Sequence, residues 1–207
     1  MSDDLGFIHA YEAGSGDAAS TALLLLHGTG GNETDLVPLG RMIAPGATIV
    51  SPRGKVLENG MPRFFKRLAE GVFDQEDLKV RTAELREFVT AAEQAYDIEP
   101  GSMVAVGYSN GANIAASLLL TFPGVFKRAI LLRAMVPFEL DSLPDLSGTS
   151  VFISAGKQDP LIPADQTEVL ATMLREAGAD VTLEYLAPGH GLVREDVDRA
   201  SAWLAGE

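Results

Sequence analysis

The run Gly107-Tyr108-Ser109-Asn110-Gly111 constrains this chain more than any other stretch, because of what stands on either side of it. Before it, Met103-Val104-Ala105-Val106 reads as a buried strand. After it, Ala112-Asn113-Ile114-Ala115-Ala116-Ser117-Leu118-Leu119-Leu120 is small and helical in composition. A serine on so sharp a strand-to-helix turn has strained φ/ψ. A Cβ at position 107 or 111 would crowd the neighbouring strand or helix, so both glycines have a steric reason.

The rest of the chain repeats the same alternation. Phe7–Tyr11, Ala22–His27, Ala47–Ser51, Met103–Tyr108, Ala129–Leu132, Val151–Ala155 and Val181–Leu186 read as strands. Leu36–Ala44, Asp77–Tyr96, Ala112–Phe122, Ala164–Ala177 and Arg194–Ala205 read as helices. Strands that are short and uniformly apolar are expected to be buried on both faces. The expectation is an α/β fold, with a mostly parallel sheet of about seven strands and helices on both sides. With 207 residues, one domain over 1–207 suffices. About twenty residues join the segments at 129–132 and 151–155, too few for a cap domain, so the edge of the sheet there should be open.

Strand, G-x-S-x-G, helix is the nucleophile elbow of the α/β-hydrolases. A serine hydroxyl is a poor nucleophile until a base takes its proton, and the base needs an orienting acid. Of the three histidines, His9 and His27 precede the serine, and only His190 follows it. The chain order serine, acid, histidine places the acid between 109 and 190. Asp159, in the loop Gly156-Lys157-Gln158-Asp159-Pro160 after a strand, is preferred to Asp141, Asp145 and Asp180, although Asp-Pro is also a common turn dipeptide. The oxyanion donors are expected to be the backbone N–H groups of Asn110 and Thr29. The latter lies in the loop His27-Gly28-Thr29-Gly30-Gly31-Asn32-Glu33. His27 itself reads as a support for that loop rather than as a reacting group.

With these segments in hand, the chain resembles a lidless α/β-hydrolase of the carboxylesterase/phospholipase family, which also contains acyl-protein thioesterases. LLLLHGTGGNE, GYSNGANIA, GKQDPLIP and PGHGL carry the resemblance over essentially the whole chain. The stretch Arg63–Asp74 resembles a bacterial subgroup described as hydrolases or esterases linked to quinone or aromatic ring-cleavage metabolism. The resemblance implies a triad of Ser109, Asp159 and His190 acting on a small-molecule ester. Small or aromatic carboxylic esters are the expected substrates. A thioesterase or lysophospholipase on longer acyl chains, or a ligand sensor without turnover, remains an alternative. Relatives of this kind can form homodimers. Arg133 departs from the pattern, since many relatives have a small or neutral residue there.

The substrate side is less determined. Phe64, Phe65 and Phe73 precede the helix beginning near 77 and are either an aromatic pocket wall or the packing of a short helix. Leu161 and Leu192, just beyond the acid and the base, are candidates for an acyl pocket. Arg133 either steers an anionic substrate or pairs with a surface carboxylate. A net charge of −13 argues against nucleic acid and against anionic membranes as partners. Gly30 and Gly31 lack the lysine of a phosphate loop, and three scattered histidines without cysteine offer no metal cluster. No cofactor is expected. Met1-Ser2-Asp3-Asp4 does not read as a signal peptide, and no apolar run nears a membrane span, so the cytoplasm is the expected location.

Overall fold

The structure is a computed structural model describing residues 5–187 and 189–206. The N-terminal residues read above for a targeting signal lie outside the described residues, as does Pro188 of the histidine segment.

Seven strands form the main sheet: β1 (His9–Glu12), β2 (Ala22–Leu26), β3 (Thr48–Pro52), β8 (Val104–Tyr108), β9 (Arg128–Leu132), β10 (Ser150–Gly156) and β11 (Asp180–Ala187). Their order is β1-β3-β2-β8-β9-β10-β11, with β1 antiparallel to β3 and the others parallel. Five helices cover it: α1 (Val37–Ile43), α2 (Gln75–Ala95), α3 (Asn110–Thr121), α4 (Ala164–Glu176) and α5 (Arg194–Ala205). The strands expected from sequence match these to within a few residues. The largest shift is in β1, which starts at His9 because Phe7 leaves the edge to pack on Phe88.

Alternation along the strands divides the core in two. Leu24 and Leu26 of β2, Ala105 of β8, and Leu131 of β9 face α2, α3 and α4. Leu23 and Leu25, Val104 and Val106, and Ile130 and Leu132 face α1 and α5. Every residue of β2 is buried, as a central strand covered on both sides requires. The strand order reverses between β2 and β8, which opens a crevice at their carboxyl ends.

One region departs from the sequence reading. Between β3 and α2 the chain forms two small antiparallel hairpins, β4 (Val56–Glu58) with β5 (Met61–Arg63), and β6 (Arg67–Ala69) with β7 (Val72–Phe73). The short helix considered for Phe64 and Phe65 is absent here. Strands of two or three residues, one of them containing Pro62, show no alternation long enough to read. As expected from its length, the connection 133–149 carries no helix or strand.

Helix α3 lies very close to the sheet. A Cβ at Gly111 would stand 1.9 Å from the Leu26 carbonyl oxygen, and one at Gly107 would stand 2.6 Å from Ala112 Cα. Gly111→Ala should therefore push the helix off β2 and cost at least ~3 kcal/mol, lowering the thermal midpoint by roughly 6–12 °C. Thermal melts of the two proteins test this, and equal midpoints would refute the packing argument.

Candidate active site

Ser109 follows β8 directly and has φ 52° and ψ −113°, a conformation that L-residues rarely adopt. Its N–H donates to the Leu132 carbonyl at 2.8 Å, which extends the β8–β9 ladder by one bond. The hydroxyl is thereby raised above the crevice between β2 and β8. His190 Nε2 lies 3.0 Å from Ser109 Oγ, and His190 Nδ1 lies 2.8 Å from Asp159 Oδ2. The network assigns the proton to Nδ1, where it is donated to the carboxylate, leaving Nε2 to accept from the serine. Asp159 Oδ1 accepts the N–H groups of Leu161 (2.8 Å) and Ile162 (3.1 Å), so both oxygens of this 1% exposed side chain are engaged. Three residues drawn from distant segments thus form one hydrogen-bonded chain.

The loop of Asp159 and the loop of His190 touch at a glycine. A Cβ at Gly156 would lie 2.3 Å from the Gly189 carbonyl oxygen, so only glycine lets the two segments meet. Nothing in the spacing of the sequence singled out that position.

The glycine loop after β2 is tied down on several sides. His27 is 1% exposed, Nδ1 donates to the Gly28 carbonyl at 2.7 Å, and Nε2 accepts from Gly54 N–H at 3.0 Å. Burial is the largest influence on its ring and pushes it below the ordinary 6.5, against the opposing effects of the Gly28 bond, Asp35 and Glu33. Gly30 N–H donates to the Pro62 carbonyl at 2.9 Å, and Arg63 Nη1 donates to Thr29 Oγ1 at 2.7 Å. Thr29, Asn110, Ser109 and His190 all line one cavity of about 320 Å³. Among the described residues, no acceptor takes the amide of Thr29 or of Asn110. The side chains of Asn110 and Asn113 brace the surroundings by accepting from Phe64 N–H (2.8 Å) and Met135 N–H (2.9 Å).

Several expected substrate contacts move. Phe73 and Leu161 line the cavity, with Met135 and Ile162 beside them. Phe64 and Phe65 do not; they are 2% and 0% exposed and belong to the core on the α2–α3 side. Leu192 packs against the opposite core, on the α1–α5 side. The arginine reading is also corrected. Arg133 neither reaches the cavity nor pairs at the surface, because both its side chain and its partner Asp196 are 0% exposed. Its Nη1 and Nη2 bond the Asp196 carboxylate at 3.0 and 2.7 Å, and Nη1 also donates to Ser154 Oγ at 2.8 Å. Ser154 Oγ in turn donates to Asp196. Nε and Nη2 reach the carbonyls of Gly189 (3.3 Å) and Gly191 (3.2 Å), the residues flanking His190. A guanidinium with fixed, forked donors can grip both sides of that loop, which lysine cannot.

Among the described residues no cluster suits a metal ion, and no helix is long and apolar enough to cross a membrane.

These contacts carry two expectations. Asp196→Ala leaves the Arg133 charge buried and unpaired, which should cost ~3–5 kcal/mol and lower the thermal midpoint by roughly 6–20 °C. A change under about 2 °C would show that the pair is dispensable. For His27, the unfolded chain takes up a proton near 6.5 while the folded ring resists it until a lower pH. Its contribution is complete above 6.5 and is lost as pH falls through the folded value. Melts between about pH 7 and pH 5 should therefore decline more steeply in the wild type than in His27→Gln; equal slopes would dismiss the assignment.

Comparison with known proteins agrees with this architecture. A family model described as phospholipase/carboxylesterase matches residues 12–206. The chain is 52% identical over 195 residues to MhqD of Bacillus subtilis strain 168, which is named as a hydrolase, covering 94% of this chain and 96% of that protein. The crystal structure of a Bacillus cereus carboxylesterase superposes with a TM-score of 0.93 at 48% identity, covering 97% of this chain and 94% of the other. A carboxylesterase from Mesorhizobium loti gives a TM-score of 0.91 at 34% identity, covering 99% and 97% of the two chains. A family match over residues 12–206, a relative at 52% identity and a superposition at a TM-score of 0.93 lead to one conclusion: the chain is a member of the phospholipase/carboxylesterase family of α/β-hydrolases.

Proposed function

We propose that this hydrolase is a serine carboxylesterase acting on small or aromatic carboxylic esters through Ser109, His190 and Asp159. The observation that carries the reading is the unbroken hydrogen-bonded chain Asp159–His190–Ser109 at the wall of a cavity. In the first step His190 Nε2 takes the Ser109 proton as Oγ attacks the ester carbonyl. Asp159 holds the ring in the required tautomer and favours the imidazolium that forms. The amides of Thr29 and Asn110 would receive the oxyanion, and loss of one such donor typically lowers kcat by about 10²–10³. The imidazolium then returns its proton to the departing alcohol, leaving an acyl-enzyme. Water, deprotonated by the same nitrogen, attacks that ester and releases the acid.

A cavity of about 320 Å³ fits a short or aromatic acyl group better than a fatty chain. One observation favours the longer-chain thioesterase or lysophospholipase as a second reading. Leu68 (73% exposed), Val72 (51%) and Leu161 (43%) offer apolar surface on or beside cavity-lining segments, where a chain leaving the cavity could lie.

Initial rates on nitrophenyl esters from acetate to palmitate, for the wild type and Ser109→Ala, test both. Turnover should peak at short chains and fall by about 10⁴ or more in the variant while its thermal midpoint stays close to that of the wild type. Activity retained in a folded Ser109→Ala would end the serine mechanism. A maximum at long chains would transfer the choice to the second reading.

A further inference from the structure

One wall of the cavity carries charge that the acyl-transfer steps do not use. Arg63, at the end of β5, lines it with a side chain only 4% exposed. Its Nε donates to the Phe65 carbonyl at 3.1 Å and its Nη1 to Thr29 Oγ1 at 2.7 Å. Among the described residues its Nη2 makes no hydrogen bond, and the residue lines the cavity. Arg67 lines the same wall. A single carboxylate, Glu58, serves both. Its Oε1 accepts from Arg67 Nε at 2.9 Å. Its Oε2 stands 3.2 Å from Arg63 Nη1 without hydrogen-bond alignment and has no hydrogen bond of its own.

Two guanidinium groups sharing one carboxylate leave a surplus positive charge. Burial, followed by the neighbouring Arg67, works against the charged form of Arg63, and Glu58 only partly offsets them. Arginine does not relieve this by losing its proton. Glu70 also lines the cavity, but it is exposed and forms no ion pair with either arginine among the described residues, so water screens it. Arg63 is moreover bonded to Thr29, whose amide is the proposed oxyanion donor, so the surplus charge sits beside the reacting carbonyl.

We propose that Arg63, supported by Arg67, is a subsite for a carboxylate carried by the substrate. The substrates are then small anionic esters: half-esters of dicarboxylic acids, or esters of hydroxy acids. A guanidinium N–H donating to a carboxylate makes a charge-assisted hydrogen bond, and the low exposure of Arg63 strengthens the attraction. This deepens the serine esterase reading and rests on it. It also transfers the anion-binding role considered for Arg133 to a different arginine.

The test compares each anionic ester with a neutral isostere, by pH-stat at constant ionic strength. Monomethyl glutarate is paired with methyl 5-oxohexanoate, and O-acetylglycolate with acetoxyacetone, placing the charge on the acyl or the alcohol side. In at least one pair the wild type should favour the anion by about tenfold or more in kcat/KM. Arg63→Met should bring that ratio to within about twofold of unity, and Arg63→Lys should retain part of it. If Arg63→Met does not fold, Arg67→Gln must lower the ratio by about threefold. A ratio unchanged by the folded variants overturns the subsite, because an arginine that merely braces Thr29 would slow both members of a pair alike. So does a wild type that hydrolyses neutral esters and shows no preference; that result leaves the serine esterase reading in place. If the wild type hydrolyses none of these esters, thermal shift with glutarate decides the subsite, and the serine esterase reading fails only if the nitrophenyl esters are left intact as well. A rise in the wild type that Arg63→Met lacks supports the subsite; no rise in the wild type overturns it.

Discussion

The buried ion pair of Arg133 and Asp196 is the contact on which the placing of His190 beside Ser109 and Asp159 depends. Taking two charges out of water costs several kcal/mol each, and the pair persists because the guanidinium is met on nearly every side. Asp196 takes two of its bonds, Ser154 takes two more through its hydroxyl and carbonyl, and Gly189 and Gly191 supply the rest. The same carboxylate accepts from Val193 N–H at the start of α5. One cation therefore joins the end of β9, the body of β10, the first turn of α5 and the loop bearing His190. Among the described residues, positions 189–192 make no backbone–backbone hydrogen bond, so the shape of that loop is borrowed from the charge beneath it.

The backbone on which these groups stand is itself bent out of the common regions. Ser109 and Arg133 each follow a strand, and each has a positive φ, 52° and 59°. Each then sends its N–H across to the next strand, to Leu132 and Ser154. Strain of this kind persists only where surrounding contacts overdetermine it. Here the overdetermination comes from the neighbouring ladders and from glycines 107 and 111, which allow α3 to lie against β2 and β8.

Much of this was legible in the sequence for a physical reason. The central strands are uniformly apolar, so their positions stand out, and the serine segment combines two glycines with a change of period. Asp159 and His190 followed from chain order and from the scarcity of histidine. What was not legible depends on distance or on burial. Arg133 and Asp196 are 63 positions apart, and nothing local distinguishes a buried charge from a surface one. Phe64 and Phe65 stayed open between a pocket wall and core packing because aromatic residues suit both equally. The hairpins at 56–63 and 67–73 are too short for periodicity, and with them went the significance of Arg63 and Arg67. The arginine noticed first was conspicuous by its departure from the family pattern, while the ones that reach the cavity sit in a segment without regular rhythm.

That segment has an evolutionary consequence. The hairpins hang between β3 and α2, and no strand of the main sheet passes through them. They hold the reacting side mainly through backbone atoms: Gly54 N–H on His27, the Pro62 carbonyl on Gly30 N–H, and Phe64 N–H on Asn110. Attachments made by the main chain survive changes of side chain. Lineages of this architecture could therefore diversify positions such as 67, 68 and 72 while keeping the hydrogen-bonded chain of Ser109, His190 and Asp159 intact. Selection for a new ester would act on a rim that is replaceable residue by residue, above a centre that is not.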